Sequence, residues 1–201
     1  AAGQSAAASA VSPTPGPSAG PLAAPGPTLA DAPLAPAAGV IFGCTNATFE
    51  ECFQRKVVGL PRKYIPLVQS IVPMRTLLFV FNYSDRQLHG VYLAASPGGE
   101  NLIPAVFAEA ARIVPAAFAE ARLDASPVES PFPAQCMFEV VEETAPCPEA
   151  EFKHVLEYTV RQRFKFKLSA WQTRDLVGIL CAHEAKLRAR RLTVTVLDEA
   201  R

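Results

Sequence analysis

Leu77-Leu78-Phe79-Val80-Phe81 and Leu88–Ala94 are two apolar, aromatic-rich runs on either side of Asn82-Tyr83-Ser84-Asp85-Arg86. Two such runs around a short polar connection read as a β-hairpin over Thr76–Ala95. Any fold for this chain has to be built around that hairpin. Gly90, inside the second run, predicts a bulge or a close approach of another element to the backbone.

The flanking segments supply both helices and strands. Val40-Ile41-Phe42, set between Gly39 and Gly43, reads as a buried first strand. Thr45 or Thr48 then caps a helix with Phe49, Cys52, Phe53 and Val57 on one face and Glu50 and Glu51 in its first turn, stopped by Gly59-Leu60-Pro61. A short helix follows around Ile65–Ile71, closed by Pro73, and Ala134–Val141 is a further strand. Pro148 at the first helical position opens a helix presenting Phe152, Val155, Leu156 and Val160. Ser169 caps a long helix to about Arg191 with Leu176, Ile179, Leu180 and His183 on one side. Thr193–Val196 is a small strand or a tail. The class is α+β.

Composition divides the chain. Residues 1–38 hold 14 alanines and 8 prolines, with Asp31 the one charge. Alanine buries too little surface to offset ordering entropy, so 1–38 is expected to be a disordered leader. The rest, 39–181, is long enough for a single core, with 182–201 a basic helix end and tail. Pro104–Ala110 is echoed by Pro115–Ala121, and 104–131 reads as an Ala-rich helical insertion. No apolar run approaches the roughly 18 residues of a membrane span, and 1–38 lacks the basic start of a signal peptide.

The five cysteines, an odd number at irregular spacing, read as reduced thiols of an intracellular protein, in cytoplasm or nucleus. Cys181 and His183 are neighbours, but two ligands do not make a zinc site. No metal and no cofactor is expected. The Asn46-Ala47-Thr48 and Asn82-Tyr83-Ser84 sequons are taken as chance or turn chemistry.

Five stretches in order carry a resemblance: Gly39–Gly43, Cys52–Pro61, Leu77–Ala95, Phe132–Phe138 and Phe164–Leu180. Together they resemble the DCD (development and cell death) domain of plants and green algae. This chain has Val58 where that family usually has Phe before Gly-Leu-Pro, and Cys136 where it commonly has Val after Pro-Ala-Gln. The resemblance implies a role in development, stress response or programmed cell death. The order of elements is also remotely similar to the PUA-like, EVE and YTH group, implying a compact barrel-type sheet flanked by helices. The modified-adenosine readers of that group use a cage of aromatic residues, usually tryptophans, which the single Trp171 does not support.

The candidate interaction residues fall into three sets. Gly59, Leu60 and Pro61, with Pro133 and Gln135 of Phe132-Pro133-Ala134-Gln135, either line a groove for a peptide or pack the barrel ends. Asn82, Asp85, Arg86 and His89 form a ligand-gripping loop or ordinary turn chemistry. Arg161, Arg163, Lys165 and Lys167 belong to a block, Lys153–Arg191, with ten bases against three acids. The alternation Arg163-Phe164-Lys165-Phe166-Lys167 is either a stacking surface or a strand with its phenylalanines turned inward. His154 and His183 read as structural histidines. The preferred function is a non-enzymatic module that binds a protein partner. RNA binding through a basic face at 161–191 is the alternative, and an enzyme of unknown reaction the third reading.

Overall fold

The computed structural model describes residues 38–109, 130–159 and 163–199, with side chains through Arg191. In chain order the elements are β1 (Ala38–Cys44), α1 (Asn46–Gln54), β2 (Val57–Leu60), α2 (Ile65–Gln69), β3 (Thr76–Asn82), β4 (Gln87–Ala94), β5 (Gly99–Glu100), β6 (Ala134–Val140), β7 (Cys147–Pro148), α3 (Glu149–Phe152), β8 (Lys167–Leu168) and α4 (Ala170–Glu199). The strands form one sheet in the order β2-β6-β4-β3-β1-β8, with β5 joined to β6 and β7 to β4. Among the described strands only β1 and β3 pair in parallel, in the register Ala38↔Thr76 to Cys44↔Asn82. The sheet curls into a half-barrel that brings β2 back close to β1.

The hairpin is the spine of this α+β fold, and its continuous apolar runs have a plain cause: both faces are covered. Leu78 and Val80 point to one side with Val40, Phe42, Tyr92 and Phe138, under α1 and α2. Phe79 and Phe81 point to the other with Ile41, Leu88 and Val91, under α3 and the face of α4 bearing Leu176 and Leu180. Burying a large apolar side chain contributes roughly 1.5–3 kcal/mol, so each face of β3 is a substantial share of the core. At Gly90 both sequence expectations are met. The β3–β4 register shifts between Leu78 and Val80, opposite it. A Cβ there would lie 3.0 Å from Phe79 and 3.3 Å from Leu180, so the missing side chain lets α4 seat on the sheet.

Several local readings change. Val57 is not on the first helix: Lys56 takes a φ of 50°, which ends α1, and the β-branched pair Val57-Val58 starts β2. Gly59-Leu60-Pro61 therefore closes a strand rather than a helix. Pro148 precedes α3 instead of occupying its first position, because its residue pairs with Gln87 in β7. Val160 lies outside the described residues. The long helix is capped as expected. Gln172 N donates to Ser169 Oγ (3.3 Å) and Ser169 N donates to Gln172 Oε1 (2.9 Å). The two bonds make a reciprocal capping box. Its backbone stays helical to Glu199, so Thr193–Val196 is neither strand nor tail. His154 is exposed, whereas His183 is half-buried.

The sheet starts at Ala38, one residue before the expected boundary, and 1–37 lies outside the described residues. So does 110–129 of the expected insertion. Its described beginning, Pro104–Glu109, is a turn and not a helix, since Ala105 and Phe107 have φ of 60° and 63°. Such values are incompatible with a right-handed helix. Val106 and Phe107 bury their side chains in the core instead. Among the described residues no helix is long and apolar enough to cross a membrane.

Candidate interaction surface

The tip of the hairpin is a closed polar network. Asn82, at the end of β3, is buried; its Nδ2 donates to Asn46 Oδ1 (2.7 Å) and Asp85 Oδ2 (3.4 Å), and its Oδ1 accepts from Ser84 N (3.0 Å). Asp85 Oδ1 accepts from Gln87 N (3.2 Å). These are the self-directed bonds by which Asn and Asp stabilise turns. Arg86 grips Glu149 with two parallel bonds, Nε to Oε2 (2.8 Å) and Nη2 to Oε1 (2.6 Å). This fork-on-fork pairing is among the stronger hydrogen-bonded arrangements open to Arg and a carboxylate. The Arg86 guanidinium also lies over the Phe81 ring. The Tyr158 hydroxyl donates to Glu149 Oε1 as well (2.6 Å); burial and the Glu149 carboxylate push its pKa up. His89 stands apart, half-buried with its ring 4.6 Å from that of Phe49. Its Nε2 has no hydrogen-bond partner, and burial holds the imidazole below its ordinary pKa.

The two proline-containing motifs, distant in sequence, are neighbours in the sheet: Gly59 pairs with Gln135 and Leu60 with Ala134. Gly59, Leu60, Pro133 and Gln135 are buried, and Pro61 is half-buried. The Gln135 amide acts as a surrogate backbone, accepting from Ile103 N (2.8 Å) and donating to Ile103 O (3.3 Å). A Cβ on Gly59 would sit 2.8 Å from both Cβ and O of Phe132, and Phe107 presses on the same spot. This joint is covered by the segment from Gly99 to Phe107, and its chemistry is that of internal packing.

Along the basic run, Arg163, Lys165 and Lys167 face solvent while Phe164 is buried and Phe166 half-buried. Phe164 meets Phe81 edge-on (centroids 5.1 Å apart), and Phe166 meets Tyr64 likewise (4.9 Å). Ile41 N donates to Phe166 O (2.8 Å), which stitches the run to β1. Lys165 Nζ pairs with Glu157 (2.5 Å). Arg161 lies outside the described residues.

Among the described residues, six large apolar side chains are left in water: Leu102, Val140 and Tyr158 are scattered, and three others lie towards one end of the sheet. Trp171, in the first turn of α4, is 52% exposed, and Val72 and Met74, on either side of Pro73, are 50% and 47% exposed. The pairings Ala38↔Thr76 and Gly39↔Leu168 put the turn before β3 and the start of α4 at the same end of the sheet. A lone Trp at a helix start was visible in the sequence. That Val72 and Met74 share its end of the fold was not, because only the β1–β3–β8 register brings them there. The five cysteines are all free thiols; Cys44, Cys52, Cys136 and Cys147 are buried and Cys181 is exposed.

Residues 38–180 match the development and cell death domain. The chain is 33% identical over 141 residues to DCD domain-containing protein NRP-A of Glycine max and 35% identical over 141 residues to DCD domain-containing protein NRP of Arabidopsis thaliana. Each alignment covers 70% of this chain, but 34% and 36% of those relatives, so the chain spans about a third of their length. The B2 protein of Daucus carota is 33% identical over 141 residues, covering 70% of this chain and 61% of that one. Solved structures similar to the fold include the YTH domain-containing protein mmi1 bound to RNA (TM-score 0.46, 6% identity, covering 71% of this chain and 80% of that one). Another is the CPSF4-YTH domain of Toxoplasma in its apo form (TM-score 0.47, 11% identity, covering 81% and 94%). With the match running from the first residue of β1 to Leu180 in α4, the chain belongs to the development and cell death (DCD) domain family.

Proposed function

We propose that this chain is a non-enzymatic interaction module that binds a protein partner in plant-type stress response, development or programmed cell death. Membership of the family supports that setting. The odd number of cysteines at irregular spacing is the ground for placing its action inside the cell, in cytoplasm or nucleus. The observation that carries the choice of partner is the exposure of Trp171, Val72 and Met74 at one end of the sheet. Trp and Met are enriched among the anchors of protein interfaces. A single-stranded nucleic acid needs accessible ring faces for stacking, and the phenylalanines of the basic run are turned inward. Around the domain Arg163, Lys165 and Lys167 present charge and the half-buried Pro61 an apolar ring. Asp85 and Arg86 are engaged at the hairpin tip, and Gly59, Leu60, Asn82, Pro133 and Gln135 hold the domain together.

The test is affinity capture from a plant-cell extract with the full chain as bait, with and without nuclease. The reading expects a captured protein that resists nuclease and falls at least about tenfold with Trp171→Ala, as loss of an interface anchor would give. Capture that is abolished by nuclease and by the pair Lys165→Ala and Lys167→Ala, and that weakens steeply with salt, would establish the RNA reading instead.

A further inference from the structure

One cluster of reactive side chains sits where the core meets the surface, with Cys147 fully buried among the apolar residues under α3 and α4. Cys147 Sγ, a carboxylate oxygen of Glu151 and a ring nitrogen of His183 all lie within 4.8 Å of one another. They come from two packed units: Cys147 sits in β7, paired with Leu88, Glu151 follows one turn later in α3, and His183 faces them from α4. His183 Nδ1 is 3.1 Å from Glu151 Oε1, and the two side chains are 12% and 35% exposed. Lys186 Nζ stands 3.8 Å from Glu151 Oε2 at the rim, itself 67% exposed.

We propose that Cys147, Glu151 and His183 bind a divalent transition-metal ion of the zinc class. One soft thiolate, one imidazole and one carboxylate is the mixed S, N, O donor set that suits borderline Zn²⁺ and not Mg²⁺ or Ca²⁺, which take oxygen ligands. Bonds of about 2.0–2.3 Å to each donor would draw these atoms to within roughly 3–4 Å of one another, a small closure of the present spacing. Three protein ligands leave a fourth position for water or for a donor from a partner. Loading is a simple exchange: the metal–sulfur bond forms, the Cys147 S–H bond breaks, and one proton leaves to solvent. The nearby pair that catches the eye in the sequence, Cys181 and His183, is not this site, because Cys181 is exposed and the thiol in reach of His183 is Cys147.

Cobalt(II) titration of the full chain provides the test, since a cobalt–thiolate bond gives a charge-transfer absorption that oxygen or nitrogen ligands do not. The proposal expects this band to saturate at one ion per chain and to be displaced by zinc. Cys147→Ser should abolish it, and Cys181→Ser should leave it intact. His183→Gln should weaken binding at least about tenfold, the scale of losing a metal-site contact. His183 reaches the surface, so this variant carries the test if Cys147→Ser does not fold. Zinc should also raise the melting temperature of the wild-type chain and a chelator should reverse the rise, as for any ligand that binds the native state. The absence of the band, its loss in Cys181→Ser, or unchanged affinity in His183→Gln would overturn the proposal and leave Glu151–His183–Lys186 as an ion-pair network.

Discussion

His89 carries the polar atom with most to lose in acid. Its Nε2 is buried without a partner, its ring lies on Phe49, and burial lowers its pKa while Asp85 weakly opposes the shift. Below its ordinary value of about 6.5 the unfolded chain takes up a proton that the folded chain refuses. The contribution is therefore fully present above about pH 6.5 and is lost as pH falls from there towards the depressed folded value. Melting temperature should drop over that window more steeply in the wild type than in His89→Gln; parallel profiles would exonerate His89. At this scale the sequence conveyed turn chemistry well, since Asn82 and Asp85 bond their own hairpin as such residues do. It did not convey Gln135. A glutamine beside Pro and Ala fits a peptide groove or a packed barrel end alike, and nothing local shows that its amide will meet both backbone groups of Ile103, 32 residues away.

Elements were legible where a local pattern decides them. The hairpin, the strand from Ala134 and the Ser169–Gln172 cap all follow from alternation, apolar runs or a capping pair of residues. The end of α1 was not, because Val57 continues the helical spacing of Phe49 and Phe53, and what stops the helix is the left-handed turn at Lys56. The seating of α4 on β4 is a contact between elements, and two glycines separate its parts. Gly90→Ala places a methyl group between Phe79 and Leu180. It should cost about 1–3 kcal/mol in urea unfolding, as overpacking does. Gly178, on the same helix, has nothing within 4 Å of an added Cβ. Gly178→Ala should stabilise by up to about 1 kcal/mol through helix propensity. Equal effects of the two changes would show that α4 is not held against Gly90.

For the molecule as a whole, the class could be read in advance but the order of strands could not. No local signal tells β2 to pair with β6, or β1 to lie parallel to β3. The two apolar clusters are cut from the same strands, Leu78 and Val80 serving one and Phe79 and Phe81 the other. Neither cluster can open while β3 remains in place for its counterpart, so the described domain should unfold in one step. Denaturation followed by Trp171 fluorescence and by far-ultraviolet circular dichroism should give coincident transitions, and separate midpoints would show independent halves.

The pairing of Gly99 with Gln135 and of Glu100 with Ala134, reinforced by Asn101 N donating to Pro133 O (2.8 Å), has a meaning beyond the sheet. It brings the chain back to its point of departure, so Asn101 and Pro133 are touching roots, with Val106, Phe107 and Phe132 buried in the core just inside them. Adding chain beyond these anchors costs about 0.6 kcal/mol of closure entropy for each doubling of length. A duplicated Ala-rich unit was therefore nearly free to acquire here, and the same port would accept a reporter or an epitope with the domain left whole.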